Sequence, residues 1–165
     1  MKSLKLVFLI WLFCQMLICE STAQQVSAGT VSIGLQFNYQ QTRDRYSKQL
    51  SYHFDSELSA DYYLINNLGL GGLAGVGLTN GIVDFHFGPY AKLFIIKGLF
   101  AQAGYNIYSG TQSYQTIPIR LGYGRLFNSG FSIEPTITYE KSLNKDIHSQ
   151  LAFGIGARYY FNRKI

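Results

Sequence analysis

Eight runs of about ten residues alternate between apolar and small or polar side chains, and this pattern constrains the fold more than any other feature of the sequence. The clearest run is 150–161, QLAFGIGARYYF, in which the odd-numbered positions are apolar and the even-numbered positions are mainly small or polar. Alternate side chains of a β-strand point to opposite faces, so each run predicts a strand with one apolar face. Eight such runs predict an all-β protein.

The connections predict how these strands are arranged. The runs cover 29–40, 52–64, 68–79, 84–93, 99–107, 117–124, 131–140 and 150–161. Between them, longer polar loops are predicted to alternate with tight turns, which carry the Asn and Gly residues that such turns favour. Strands of roughly 9 to 11 residues, even in number, with short turns at one end and longer loops at the other, are typical of transmembrane β-barrels.

Glycine and proline positions add two local expectations. The inward positions of run 68–79 are rich in glycine, which leaves room in a narrow barrel for large inward side chains from the neighbouring strands. Pro89 cannot donate a ladder hydrogen bond, so we expect a bulge or a locally irregular pairing beside it.

The N-terminal segment 1–23 has the form of a secretory signal peptide. Lys2 and Lys5 precede a short apolar run that ends at Cys19, and small residues precede Gln24. We therefore expect cleavage after Ala23 and a barrel domain over 24–165. A lipoprotein modified at Cys19 is the alternative. Both cysteines and the single tryptophan lie in this segment, so the mature chain offers no disulfide and no thiolate metal site.

Charge and hydropathy exclude two classes of protein. The formal net charge is +5 and becomes +4 once Lys2, Lys5 and Glu20 are removed, and the basic residues are scattered. Because nucleic-acid binding needs a contiguous basic patch, we expect no nucleic-acid partner. The mean hydropathy of +0.04 is too low for a bundle of membrane helices.

The contents of the two faces distinguish a membrane barrel from a soluble one. An eight-stranded barrel has an interior just wide enough to be filled by side chains, which suits the face rich in Gly, Ser and Thr. The face rich in Phe, Tyr, Leu and Ile suits lipid. Its aromatic residues lie near the ends of the strands, as membrane interfaces favour. A soluble lipocalin-like barrel with the faces reversed is the structural alternative.

Several short motifs resemble a known family. Gly156, Tyr159 and Phe161 resemble the C-terminal signal by which the barrel-assembly machinery selects bacterial outer-membrane proteins, although that signal usually has a polar residue at the place of Gly154. The phrases 88–90, 122–124 and 133–135 resemble ones that recur among small Gram-negative outer-membrane β-barrel domain proteins, related in architecture to the OmpA transmembrane domain and OmpX.

This resemblance implies a fold, a location and partners. The fold is an eight-stranded antiparallel up-and-down transmembrane β-barrel. The location is the bacterial outer membrane, with both termini in the periplasm. The implied partners are the barrel-assembly machinery during insertion, and outer-membrane lipid and lipopolysaccharide afterwards.

The charged residues on the inward face are the candidate functional residues. We expect Lys92, Arg120 and Arg158 to pair with the acids, because an unpaired charge in a lumen is costly. The favoured interpretation is a salt-bridged plug that fills the barrel, and the alternative is a narrow ion-conducting path. The predicted network comprises His53, Asp55, Glu57, Asp61, Asp84, His86, Lys92, Arg120, Glu134, Glu140 and Arg158.

Catalysis and metal binding are less well supported. His53 with Asp55, or His86 with Asp84, could form a histidine-carboxylate pair, but the spacing supplies neither a nucleophile nor an oxyanion site. No ligand spacing links His53, His86 and His148, so we expect no metal site and no cofactor. A lipid-modifying enzyme is kept as a further alternative.

The loops complete the prediction. Charged loop residues could contact lipopolysaccharide phosphates, but their mixed signs favour a solvated surface; they are Arg43, Asp44, Arg45, Lys48, Lys141 and Lys145. The sequence therefore predicts a non-enzymatic barrel with a structural, adhesive or interaction role.

Overall fold

A computed structural model describes residues 26–43, 50–96, 98–110, 113–127, 130–144 and 149–161. The predicted signal peptide lies outside these residues. The described part of the chain contains no helix long and apolar enough to cross a membrane. Its strands are β1 (Val31–Arg43), β2 (Leu50–Ile65), β3 (Leu68–Thr79), β4 (Ile82–Ile96), β5 (Leu99–Gly104), β6 (Asn106–Ser109), β7 (Tyr114–Tyr123), β8 (Arg125–Leu126), β9 (Phe131–Ser142) and β10 (Gln150–Phe161).

These ten segments form eight barrel strands, because β5 and β6 together make the fifth strand and β7 and β8 the sixth. Each strand pairs antiparallel with the next along the chain. The barrel closes where β1 pairs with β10, from Val31 opposite Phe161 to Tyr39 opposite Phe153. The predicted eight-stranded antiparallel up-and-down barrel is confirmed.

Several strands are longer than the alternating runs, whereas β3 and β10 have the predicted bounds, and one connection differs from the prediction. β1 continues to Arg43, and β4 spans Ile82–Ile96, because backbone pairing continues where the side-chain pattern has already faded. The predicted alternation of loops and turns is wrong at β3 and β4, which are joined by Asn80 and Gly81 alone. Both have positive φ, of 48° and 86°, the conformation that a two-residue hairpin of this kind requires.

Pro89 has the expected effect on its neighbour. The fifth strand is interrupted between β5 and β6 at Tyr105, whose N–H donates to the carbonyl of Pro89 over 3.0 Å. Pro89 cannot return a hydrogen bond, so the ladder is broken at this pair and resumes on either side.

The two faces of the wall are distributed as in a membrane barrel. Apolar side chains on all sides of the barrel point outward, with Phe54 55%, Leu58 59% and Ile155 57% exposed. The inward charges Lys92, Glu134 and Arg158 are at most 5% exposed. The soluble alternative, which needs an apolar interior and a polar exterior, is therefore wrong.

Inward glycines lie where large inward side chains need space, which confirms the expectation for β3. A Cβ on Gly71 would collide with Asp61 and Tyr90, and one on Gly75 with the ring of His86. On β1, a Cβ on Gly34 would lie only 2.8 Å from the guanidinium carbon of Arg158. The volume that these glycines leave free is thus occupied by charged and aromatic groups of other strands.

An apolar cluster closes the end of the barrel that carries the tight turns. Val26 packs with the inward rings of Tyr63, Phe94, Phe100 and Tyr160. The N-terminal segment is held there by its backbone, because Val26 N–H donates to the Asn67 side chain over 3.0 Å and the Asn67 N–H returns a 2.8 Å hydrogen bond to the Val26 carbonyl. The sequence pattern did not predict this cluster.

Gly88 tests the tight packing of the wall. A Cβ there would overlap the backbone carbonyl of Tyr105, whereas the outward Gly72 on β3 has its nearest atom 3.9 Å away. We expect Gly88→Ala to lower the free energy of unfolding by roughly 1–3 kcal/mol. Gly72→Ala should be neutral or slightly stabilising. Urea titration of the refolded protein in detergent, read as the gel mobility of folded and unfolded forms, measures both; equal effects would contradict the geometry.

Candidate functional site: the charged lumen

The inward charges form two groups at different heights in the lumen. The turn-end cluster comprises Asp61, Lys92, Glu134 and Arg158, near the tight turns and the apolar cluster. The loop-end cluster comprises His53, Asp55, Glu57, Asp84, His86, Arg120 and Glu140. Glu57 and Asp61 are four residues apart on β2, so their strand positions differ by roughly 13 Å.

Glu134 and Asp61 are the acceptors at the centre of the turn-end cluster. Glu134 Oε2 accepts from Lys92 Nζ over 2.7 Å and from Arg158 Nε over 3.3 Å. Arg158 also donates to Asp61 and to the hydroxyl oxygens of Ser32 and Ser59 at 3.0 and 2.9 Å. These contacts join five barrel strands across the lumen, and each charge has an opposite charge beside it.

Aromatic groups complete the surroundings of this cluster. Lys92 is fully buried, and its Nζ lies 3.9 Å from the centroid of the Phe100 ring, where the negative face of the ring attracts a cation. The hydroxyl of Tyr160 donates to Glu134 over 2.9 Å, and that of Tyr90 donates to Asp61. Two cations and two acids balance, so the turn-end cluster is electrically neutral.

Arg120 and Glu57 form the central contact of the loop-end cluster. One terminal nitrogen of Arg120 lies 2.8 and 2.7 Å from the two carboxylate oxygens of Glu57. Glu57 is on β2 and Arg120 on β7, the second and sixth barrel strands, so this ion pair spans the diameter of the barrel. Gln36 and Thr138 accept the other Arg120 donors at 3.0 Å each, which fixes the guanidinium in place.

His86 lies beside two acids of β2. Its Nδ1 is 3.7 Å from an Asp55 oxygen and its Nε2 is 3.9 Å from a Glu57 oxygen, so both nitrogens lie beyond hydrogen-bond distance of these oxygens. The imidazole stacks on Tyr108 with ring centroids 4.8 Å apart. The Tyr108 hydroxyl donates to Glu140 over 2.8 Å.

The strand register explains why the sequence spacing did not predict that these residues meet. Gly75 on β3 pairs with Glu57 on one side and with His86 on the other. Because Gly75 has no side chain, the imidazole reaches over β3 toward the acids of β2. The two histidine-carboxylate pairs that the spacing allowed, but did not favour, are not among the described ion pairs. His86 instead faces Asp55 and Glu57, and the ring of His53 lies 2.6 Å from the hydroxyl of Thr79. The signal that could have indicated this contact is Gly75, because a glycine on β3 leaves space between the inward side chains of β2 and β4.

The residues of the predicted assembly signal lie at the barrel closure. Tyr159 and Phe161 are outward on β10, 44% and 41% exposed, and their ring centroids are 4.8 Å apart. Gly156 pairs with Gln36 of β1 and with Glu134 of β9. Of the charged loop residues, only Lys141 has a described side chain, and it is exposed.

An apolar exterior around a polar, hydrogen-bonded lumen defines a transmembrane-type β-barrel. No protein-family model matches the chain, and no curated protein matches its sequence. Solved structures match its fold. The N-terminal β-barrel domain of Pseudomonas aeruginosa OprF has a TM-score of 0.66 at 16% identity and covers 84% of this chain and 100% of that one.

Two further structures share the architecture. Neisserial surface protein A (NspA) has a TM-score of 0.57 at 13% identity and covers 84% of this chain and 99% of its own. A barrel from a de novo design of transmembrane β-barrels has a TM-score of 0.51 at 15% identity and covers 83% and 99%. At these identities the similarity shows the fold alone, and it agrees with the OmpA/OmpX-like architecture that the sequence motifs implied.

Arg158 tests the energetics of the turn-end cluster. We expect Arg158→Met to lower the free energy of unfolding by about 3–5 kcal/mol, because it leaves Asp61 buried without its cation. Adding Asp61→Asn should recover part of this loss, which would appear as a coupling energy of about 0.5–3 kcal/mol. Urea titration of the two single variants and the double variant measures the coupling. Lys141→Met, at an exposed position, is the control and should change stability by less than about 0.5 kcal/mol.

Proposed function

We propose that the chain is a non-enzymatic, integral outer-membrane β-barrel with a plugged lumen and a structural, adhesive or interaction role. The observation that carries the proposal is the set of ion pairs that cross the lumen at two heights. An open transport path would need a continuous passage between charged groups, whereas these groups bond to one another.

The exterior supports placement in a membrane. Outward apolar residues cover the wall between two sets of aromatic side chains. Tyr39, Tyr52 and Tyr139 are exposed near the loop end, and Tyr62, Tyr159 and Phe161 near the turn end. Tyrosine favours such positions because its ring lies at the acyl boundary while its hydroxyl reaches water. Closure of the described strands into one ladder leaves none of them as a sheet edge to be hydrogen-bonded in lipid, as a membrane requires.

The crossing contacts support a plug. Arg120 reaches Glu57 on the opposite wall, and Arg158 and Lys92 connect β2, β4, β9 and β10 about 13 Å along the strand from it. Below them, Val26 and four inward rings fill the turn end. Each of these three levels obstructs the lumen independently of the other two.

Orientation and partners follow from the same proposal. With an even number of strands, the N-terminal segment at Val26 and the end of β10 at Phe161 lie at the same end, which we assign to the periplasm. The aromatic residues of β10 are exposed at the closure, where an insertion machinery would engage the last strand. The charged loops at the other end would then face lipopolysaccharide.

A depth-dependent charge substitution tests membrane insertion. Leu58 is outward near the middle of β2, whereas Leu99 is outward at the first position of β5, beside a turn. In a bilayer, Leu58→Arg should cost about 2–4 kcal/mol and Leu99→Arg about 0–1 kcal/mol. Refolding into liposomes, followed by gels of boiled and unboiled samples, measures the folded fraction. A barrel that folds without lipid or detergent and tolerates both changes equally would refute insertion.

Planar-bilayer conductance tests the plug. We expect no resolved channel steps from the wild type, and none from Arg120→Ser and Arg158→Ser alone or together, because Val26 and four inward rings still fill the turn end. Adding Tyr63→Ala and Phe100→Ala to the double variant opens this level as well, and that combined variant should conduct. The control is a double substitution on the exterior, Leu58→Ser with Leu121→Ser, which leaves the lumen filled. Steady conductance by the wild type would instead establish a narrow pore.

A further inference from the structure

We infer that Asp55, Glu57 and His86 form a binding site for one divalent transition-metal ion, of which Zn²⁺ is the representative, inside the loop half of the lumen. This inference goes beyond the proposed structural role and needs only the barrel fold. It is carried by three independent features: the arrangement of donor atoms, the unpartnered buried atoms among them, and the charge balance of the lumen.

The donor atoms converge. One oxygen of each carboxylate and one nitrogen of the imidazole lie within 4.8 Å of one another. All three residues are buried, and the side chain of His86 has no exposed surface. They come from two strands that do not pair directly, β2 and β4, and meet across Gly75 of β3. The sheet register therefore places the ligands, and no loop has to close around the ion.

Three buried polar atoms of Asp55 and His86 lack hydrogen bonds, whereas Glu57 accepts hydrogen bonds from Arg120 and Asn38. Asp55 Oδ1 and both ring nitrogens of His86 are buried without a partner among the described residues. A buried polar atom without a partner costs on the order of 1–3 kcal/mol. Three such atoms within one small group indicate that a ligand of that group contributes the missing contacts. A metal ion would satisfy one histidine nitrogen and the Asp55 oxygen together.

Charge favours a cation. Among the described lumen-facing side chains, the turn-end cluster has two cations and two acids. The loop-end cluster has four carboxylates, on Asp55, Glu57, Asp84 and Glu140, against the single guanidinium of Arg120. With neutral histidines, it carries an excess of three formal negative charges. A divalent ion would remove two of them where the acids are most deeply buried.

The donor chemistry selects the class of ion. One imidazole and two carboxylates suit Zn²⁺ and related first-row cations, whereas Ca²⁺ and Mg²⁺ favour oxygen ligands alone. Bonds of about 2.0–2.2 Å place tetrahedral ligands roughly 3.3 Å apart, so the three side chains must approach slightly. The neighbours restrain the ligands: Tyr108 stacks on the imidazole, and Asn38 donates to Asp55 and to Glu57 at 3.1 Å each.

Zn²⁺ titration of the refolded protein tests the site. The metal-stripped mature chain in detergent is titrated with Zn²⁺, with calorimetry for stoichiometry and the urea midpoint for coupling to stability. We expect one ion per chain and a midpoint that rises with Zn²⁺, because an ion that binds only the folded state stabilises it. His86→Gln and Asp55→Asn should each weaken binding by at least about tenfold, the loss that even second-shell changes produce.

The matched control is His53→Gln combined with His148→Gln, which removes the other two histidines and should leave the affinity unchanged. Gels of boiled and unboiled samples show whether each variant folds. X-ray absorption at the zinc edge of the wild type needs no variant and should show nitrogen and oxygen ligands that include a single imidazole. No binding up to millimolar Zn²⁺, unchanged affinity in His86→Gln, or a first shell without imidazole would each overturn the inference.

Discussion

Closure of β1 on β10 is the constraint on which the rest of the structure depends. It removes the sheet edges, whose unpaired backbone groups a membrane cannot hydrate, and so allows the wall to face lipid. It also fixes a lumen so narrow that inward side chains from opposite strands meet. The pairing of Arg120 with Glu57 exists because β2 and β7 are only one barrel diameter apart. A flat sheet of the same sequence would hold these charges far from one another.

The sequence was sufficient to predict which residues face inward, because strand parity is a local property. Inward placement of Lys92, Glu134 and Arg158 follows from the alternation alone. The choice of partner does not, since it depends on register and on the space left by neighbouring glycines. The group around His86 shows this: its acids are 29 and 31 residues away along the chain and meet it only across Gly75. Strand parity does not predict the buried position of Val26 either, because this residue lies before the first strand.

The lumen is uneven along its axis. Its turn half is neutral, densely hydrogen-bonded and covered by aromatic rings, so that half supplies rigidity. Its loop half holds an excess of acids and the group of three buried atoms of Asp55 and His86 that lack hydrogen-bond partners among the described residues. The contacts that stabilise the barrel and the groups that could bind a ligand are thus separated within one narrow cavity. The outward wall is apolar on all sides of the barrel, whereas the groups that could bind a ligand lie inside the loop half of the lumen.

The glycines of β3 have a consequence for how this sequence can change over evolutionary time. Gly71 and Gly75 leave volume that Tyr90 and His86 occupy, so the filled space belongs to each pair and to neither residue alone. A side chain gained at position 75 must be accompanied by a smaller group at position 86 and by a shift of the Ser56 backbone carbonyl, which lies 2.8 Å from the same Cβ position, and a smaller group at position 86 alone opens a void. Among relatives of this barrel, the residues at such pairs of positions should covary between adjacent strands, because together they fill a fixed volume of the lumen.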